Sequence, residues 1–244
     1  MRTFSGLWPS LTMRQRATFI AHAFKALTRH HHLDLSERLR RYVPADAVVL
    51  DIGGHAGHYA HLFATLAPQG QVYSFEPSPY ACAILEIRQR LGRLPANIEL
   101  IPKALSETPG KLSLRTPQKA SGSLGFGRAT FSPERQKGVR IDDVEVTTID
   151  QFVAARGMDR VDFIKLDIEG WEHHALRGGA QTLRRWQPSL LAEVDDKMLC
   201  ASGSSAAGFW DFLAGLGYQA RPLADPDTVC PTYAGSADYL FSAR

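Results

Sequence analysis

Cysteine is scarce in this chain of 244 residues: Cys82, Cys200 and Cys230 stand far apart and form no C-x-x-C pair. That excludes a disulfide framework and a thiolate zinc site, and leaves three small apolar residues suited to a reducing cytoplasm. No run of about 18 apolar residues occurs, so no membrane-spanning helix is expected. No secretory leader is expected either, because Arg14, Arg16 and Lys25 cut the first apolar stretch and no cleavage-type segment follows. Low-complexity tracts and internal repeats are missing, which removes the disordered and solenoid classes. An overall excess of one charge is missing too. The formal net charge is +3, yet residues 1–44 hold eight Lys or Arg against two Asp or Glu, while the remainder holds 20 against 23. Basic character confined to one segment argues against a nucleic-acid-binding surface.

What is present is an ordinary globular composition, 44% hydrophobic and 22% charged, enough for one α/β domain. Met13, Ala17, Ile20, Phe24 and Leu27 recur at steps of three and four, which predicts a helix carrying them on one face, capped by Ser10 or Thr12. A second short helix is expected over Leu35 to Tyr42, ended by Pro44. His30, His31 and His32 lie between the two; adjacent side chains diverge, so a solvated joint is expected there rather than a metal site. Residues 1–44 thus form an N-terminal helical extension, and residues 45–244 the main domain.

From Asp46 strand and helix alternate. "AVVLDIG", "QVYSFEP", "IELIPKAL", "VDFIKLDIEG" and "SLLAEVDD" read as buried strands, with "YQARPL" and "ADYLFSAR" closing the chain. Ser78 should cap a helix with Pro79 in its first turn. One helix is expected to carry Ala175, Leu176, Ala180 and Leu183, and another to span Phe209 to Leu216. Alternating βαβ units imply a mostly parallel sheet with helices on both faces. Residues 107–147 break the rhythm, reading as strand pieces around "ASGSLGFGR", either a mobile loop over the site or a plain hairpin connection.

Ligands of such sheets sit beyond the carboxyl ends of the strands, where three features fall. In "DIGGHAGHY" Asp51 closes the first strand and Gly53, Gly54 and Gly57 make the turn. His55 stands where a dinucleotide fingerprint wants a glycine, and the acid would repel a pyrophosphate but favour the cationic amino group of an amino-acid-like ligand. Glu76, in "YSFEP", can accept both hydroxyls of a ribose, or serve only as a helix-start acid. In "FIKLDIEGWE", Lys165, Asp167 and Glu169 alternate along the strand and should share one side, as catalytic groups or as a self-satisfied ion cluster.

These motifs, in this order and spacing, resemble the FkbM family of S-adenosylmethionine-dependent methyltransferases. The likeness covers roughly residues 47–195, and "VDFIKLDIEGWEHHALRGGAQTL" is its most specific block. It implies a Rossmann-like class I methyltransferase with a seven-stranded sheet whose last strand is reversed, and transfer to oxygen, commonly a hydroxyl of a sugar, glycan or natural product. The family's loop usually carries Asn where this chain has His55. On this reading S-adenosylmethionine is held by Asp51, Gly53, Gly54, His55 and Gly57, by Glu76 and Pro77, by Ala104 beside the adenine, and by Asp167. Asp167 or Glu169 is the expected base, Lys165 orients or tunes it, and His173 and His174 stand in reserve. Mg²⁺ on Asp167, Glu169 and Glu193 is the second version of the mechanism; the first version uses no metal. A nicotinamide oxidoreductase and a non-catalytic cofactor-binding module are the alternatives. A homodimer through the N-terminal helices is a further expectation.

Overall fold

The computed structural model describes residues 4–28, 35–119, 122–125, 129–131 and 138–243. His30, His31 and His32 lie outside them. A short helix α1 (Phe4–Leu7) and a 3-10 turn at Trp8–Ser10 lead into α2 (Met13–Thr28). Thr12 starts α2: its Oγ1 accepts the Gln15 N–H at 3.3 Å, and its own N–H donates to Gln15 Oε1 at 3.0 Å. This reciprocal cap satisfies two amides that the helix cannot. The apolar face read from the spacing is turned outward, with Met13, Ile20 and Phe24 exposed. Phe19, Ala23 and Ala26 are buried instead, among Leu7, Tyr80 and Ile84. The helix carries two apolar stripes, and the one containing Phe19 meets rings that fit it, Tyr80 at 5.0 Å and Trp8 at 6.1 Å, both edge-on.

The helix α3 covers Ser36–Leu39 alone. Leu39 and Val43 are buried in one cluster with Val49, Phe63 and Phe163, so residues before 45 help close the main core.

The sheet is built from β1 (Val48–Ile52), β2 (Gln71–Phe75) and β3 (Ile98–Ile101), with α4 (His58–Leu66) and α5 (Pro79–Arg90) as crossovers. Ser78 caps α5 by accepting the Ala81 N–H, and Pro79 takes the first turn, as the sequence predicts. The "IELIPKAL" run is two strands, because β3 ends at Ile101 and β4 (Ala104–Leu105) pairs elsewhere. With β5 (Gly110–Pro117) and β6 (Val139–Thr147), β4 forms a separate three-stranded sheet in the order β4-β6-β5.

Next come α6 (Ile149–Ala155), β7 (Phe163–Leu166), α7 (Glu172–Arg177), α8 (Ala180–Trp186), β8 (Ser189–Val194), α9 (Asp196–Ala201), α10 (Ala206–Gly215), β9 (Tyr218–Pro222) and β10 (Ala237–Ala243). The single helix expected over residues 175–183 is broken between α7 and α8. A Cβ on Gly178 would come within 2.1 Å of the Ser106 carbonyl oxygen, so the chain must turn there against another segment. The large sheet has seven strands in the order β3-β2-β1-β7-β8-β10-β9. β10 runs antiparallel to both of its neighbours and the other pairs are parallel. The chain moves outward from β1 to β3 and then returns to place β7 on the other side of β1. The crevice at that reversal is where such folds hold ligands.

Candidate active site

The ends of β1, β2 and β7 meet at this crevice. In register, Asp51 stands opposite Ser74 on one side and Lys165 on the other. Asp51 is fully buried; its Oδ2 accepts the Ser74 hydroxyl at 2.8 Å, and its Oδ1 makes no hydrogen bond. Lys165 Nζ lies 3.6 Å from Asp51 Oδ1 and 3.6 Å from Asp167 Oδ2, and donates to the Gly53 carbonyl at 2.8 Å. Burial alone would lower the Lys165 ammonium, but Asp167, Asp51 and Glu76 outweigh it and hold the group above the usual lysine range. Lys165 therefore stays a cation and orients carboxylates; it does not take a proton. Its ammonium also lies 4.9 Å from the Tyr59 ring centre, a partner that the strand motif alone could not reveal.

Gly53 ends β1 with φ +87°, and a Cβ there would fall 2.0 Å from the Asp167 carbonyl oxygen. The glycine is thus demanded by the crossing of two strand ends. Glu76 is buried after β2; Oε2 accepts the His55 N–H at 2.7 Å and Oε1 the Ser78 N–H at 2.8 Å. Burial outweighs both hydrogen bonds and pushes its carboxyl up to about 7. His55 sits at φ +46°, and crowding by protein holds its imidazole below the usual histidine range. Beneath this turn the buried Arg88 donates to the Ala56 carbonyl, a support that reads in sequence as a surface arginine of α5.

The strand-like alternation of Lys165, Asp167 and Glu169 ends early. β7 stops at Leu166, and Glu169 occupies a turn with φ +56°. Glu172 pins that turn: its Oε1 accepts the Ile168 N–H at 2.8 Å and the Gly170 N–H at 3.3 Å. Burial pushes Glu172 up to about 7. One rung further along the sheet, Asp238 of β10 is the register partner of Glu193 of β8. Desolvation first, then Asp167, raises the Glu193 carboxyl to about 7. Among the described residues no group of three or more His, Cys, Asp or Glu side chains is placed to hold a metal ion.

A cavity of about 340 Å³ opens here. Its wall includes Gly53, Gly54, His55, Glu76, Pro77, Lys165, Asp167 and Glu169, all named from sequence, together with Tyr59, Leu114 and Phe131. Gly57 caps α4 just behind the wall, at φ +78°. Asp51 is not among the residues of the wall; its buried carboxylate lies behind it, 3.6 Å from Lys165. Ala104 is buried with Leu114, Val144 and Val146 in the small sheet and is not itself among the residues of the wall. Leu114 of the small sheet and Phe131, which packs against it, reach the site; Phe131 lies edge-on to Trp171 at 5.5 Å. His173 and His174 bond to Ser204 and to the Ser202 carbonyl and are not among the residues of the wall.

Reversed β10, the acid-and-glycine turn after β1 and the buried acid after β2 together define a Rossmann-like class I methyltransferase fold. The profile of the methyltransferase FkbM domain matches residues 51–220. The chain belongs to this family. It is 30% identical over 150 residues to the 2-O-methyltransferase NoeI of Sinorhizobium fredii, a match covering 57% of this chain and 60% of that protein. The chain therefore spans about three fifths of that relative's length. It is similar in fold to the crystal structure of methyltransferase FkbM from Methylobacillus flagellatus, with TM-score 0.51, 16% identity, and coverage of 91% of this chain and 58% of that one. It is also similar to an O-methyltransferase from Bacillus cereus in complex with SAH, with TM-score 0.52, 12% identity, and coverage of 96% and 92%.

Proposed function

We propose that the chain transfers the methyl group of S-adenosylmethionine to a hydroxyl of a sugar, glycan or other small natural product. The observation that carries this reading is the charge of the cavity wall: among the described residues, Glu76, Asp167 and Glu169 stand against the ammonium of Lys165. Such a wall suits a ligand bearing a sulfonium and an ammonium and opposes a pyrophosphate, which sets the nicotinamide reading aside. The family relationship to a protein named as a 2-O-methyltransferase supports oxygen as the acceptor atom.

S-adenosylmethionine, when bound, supplies a methyl group already activated by its sulfonium. Glu76, with one lone pair on each oxygen anchored by a backbone amide, offers the remaining ones to the two ribose hydroxyls. His55, Gly54 and Pro77 shape the wall around it. Asp167 and Glu169 face the cationic end and the acceptor, and Asp167 takes the proton that the acceptor hydroxyl releases. Lys165 holds the Asp167 carboxylate in place. Leu114 of the small sheet and Phe131 cover part of the opening and exclude water. The division at residue 44 stays a proposal within this reading, with the N-terminal helices bracing the loop around Ala56.

The test is transfer of an isotopically labelled methyl group from S-adenosylmethionine to a panel of glycans and hydroxylated metabolites, followed by mass spectrometry. A labelled, base-stable methyl ether on at least one acceptor is expected, in the presence of EDTA as in its absence. Label-free products throughout, with NAD-dependent oxidation of an alcohol in the panel, would overturn the reading.

A further inference from the structure

Residues 1–33 contain no aspartate or glutamate, yet hold five Lys or Arg and four His. Helix α2 lies within this stretch. Three of the six large hydrophobic side chains exposed among the described residues fall on one face of it: Met13 at 79%, Ile20 at 59% and Phe24 at 67% exposure. Ala17, also exposed, lies between them. Steps of three and four align these positions into one stripe along a helix roughly 24 Å long. Exposed Arg14 and Lys25 flank one edge of the stripe. Arg16, on the other edge, donates to the Trp8 and Leu11 carbonyls, which stiffens the start of the helix. The opposite face of α2 is anchored by Phe19, Ala23 and Ala26, so the outward stripe is held in place by packing and is not a fraying end.

We infer that this face of α2 docks on an anionic lipid surface. An apolar stripe edged by cations, in a segment that itself carries no acid, matches an interfacial helix that sinks its apolar side chains between headgroups and sets its cations against their negative charge. A second copy of the chain fits less well. Two-fold pairing of antiparallel α2 helices would bring Arg14 of one copy near Lys25 of the other, with no carboxylate in either segment to offset them. An acidic protein surface would meet the cations, but gives no reason for three long apolar side chains to project into water beside them. The inference does not depend on the chemistry proposed for the cavity. It does bear on it, because α2 shares a hydrophobic cluster with Ala56 of the loop that walls the site.

Co-sedimentation of the full chain with phosphatidylcholine vesicles, with and without phosphatidylglycerol, tests this. Binding is expected only to the anionic vesicles, weakening as salt rises. Replacing Met13, Ile20 and Phe24 together by Ser should reduce it about tenfold or more while leaving the melting temperature unchanged, since none of the three is buried. Should that variant melt early, Arg14→Gln combined with Lys25→Gln decides alone, with loss of binding expected. The inference is overturned by absence of binding to anionic vesicles, by undiminished binding of the deciding variant, or by a dimer in light scattering that the serine variant dissolves.

Discussion

On the β1–β2 side of the rim, Asp51 accepts from the Ser74 hydroxyl and Glu76 accepts from two backbone amides. On the β7–β8–β10 side, Asp167, Glu193 and Asp238 crowd one another, with Lys165 as the cation beside Asp167. The first half fixes its acids by short hydrogen bonds from a strand hydroxyl and from loop amides, so it is shaped before any ligand arrives. The second half keeps carboxylates close together, which makes a proton welcome there. A rigid grip beside a proton-accepting edge is what transfer to a hydroxyl requires.

Breaking the link between the halves should have the largest effect. Lys165→Met leaves Asp51 buried without its cation, and urea unfolding should show a loss of about 4 kcal/mol; a loss under about 1 kcal/mol would mean that the two halves are not joined through Lys165. Asp167→Asn should lower turnover on the order of 10³-fold while the affinity for S-adenosylhomocysteine falls less than about tenfold. Equal losses in both would erase the distinction between a gripping half and a reacting half. Glu76→Gln should do the reverse, weakening that affinity about tenfold with a smaller change in turnover at saturation.

A smaller effect concerns the turn that carries Glu169. Glu172 titrates at about 7 in the folded chain against 4.5 as its ordinary value. As pH rises between these values the unfolded chain releases the proton first, so the wild type loses stability across that window. Glu172→Gln keeps an acceptor for the Ile168 and Gly170 amides but cannot titrate. Its stability relative to wild type should therefore improve by on the order of 1 kcal/mol between about pH 5 and about pH 8. Thermal melts at both pH values check this, and a constant difference would show that Glu172 is already ionised.

The sheet and most of its crossovers were legible because buried parallel strands read as short apolar runs and caps such as Ser78–Pro79 act locally. The wall of the cavity was legible for the same reason, since Glu76 and Asp167 follow strand ends. What escaped depends on contacts between distant segments. Spacing found α2 but not which of its two apolar stripes faces inward, because Tyr80 and Trp8 decide that. Alternation carried Glu169 along a strand that ends three residues earlier, where Glu172 holds a turn. Ala104 followed an apolar run that splits between two sheets. Leu114 and Phe131 come from a stretch whose pattern shows strand pieces but not the place where they land.

The central claim is that the strand ends bearing Asp51, Glu76 and Asp167 form a socket for a cationic amino-acid nucleoside. Titration calorimetry of the full chain with S-adenosylhomocysteine tests it most directly. One saturable site is predicted, with affinity that rises as pH increases through about 7, because the ribose hydroxyls donate to the ionised form of Glu76. Saturable heat with NAD, and none with S-adenosylhomocysteine at any pH, would contradict it.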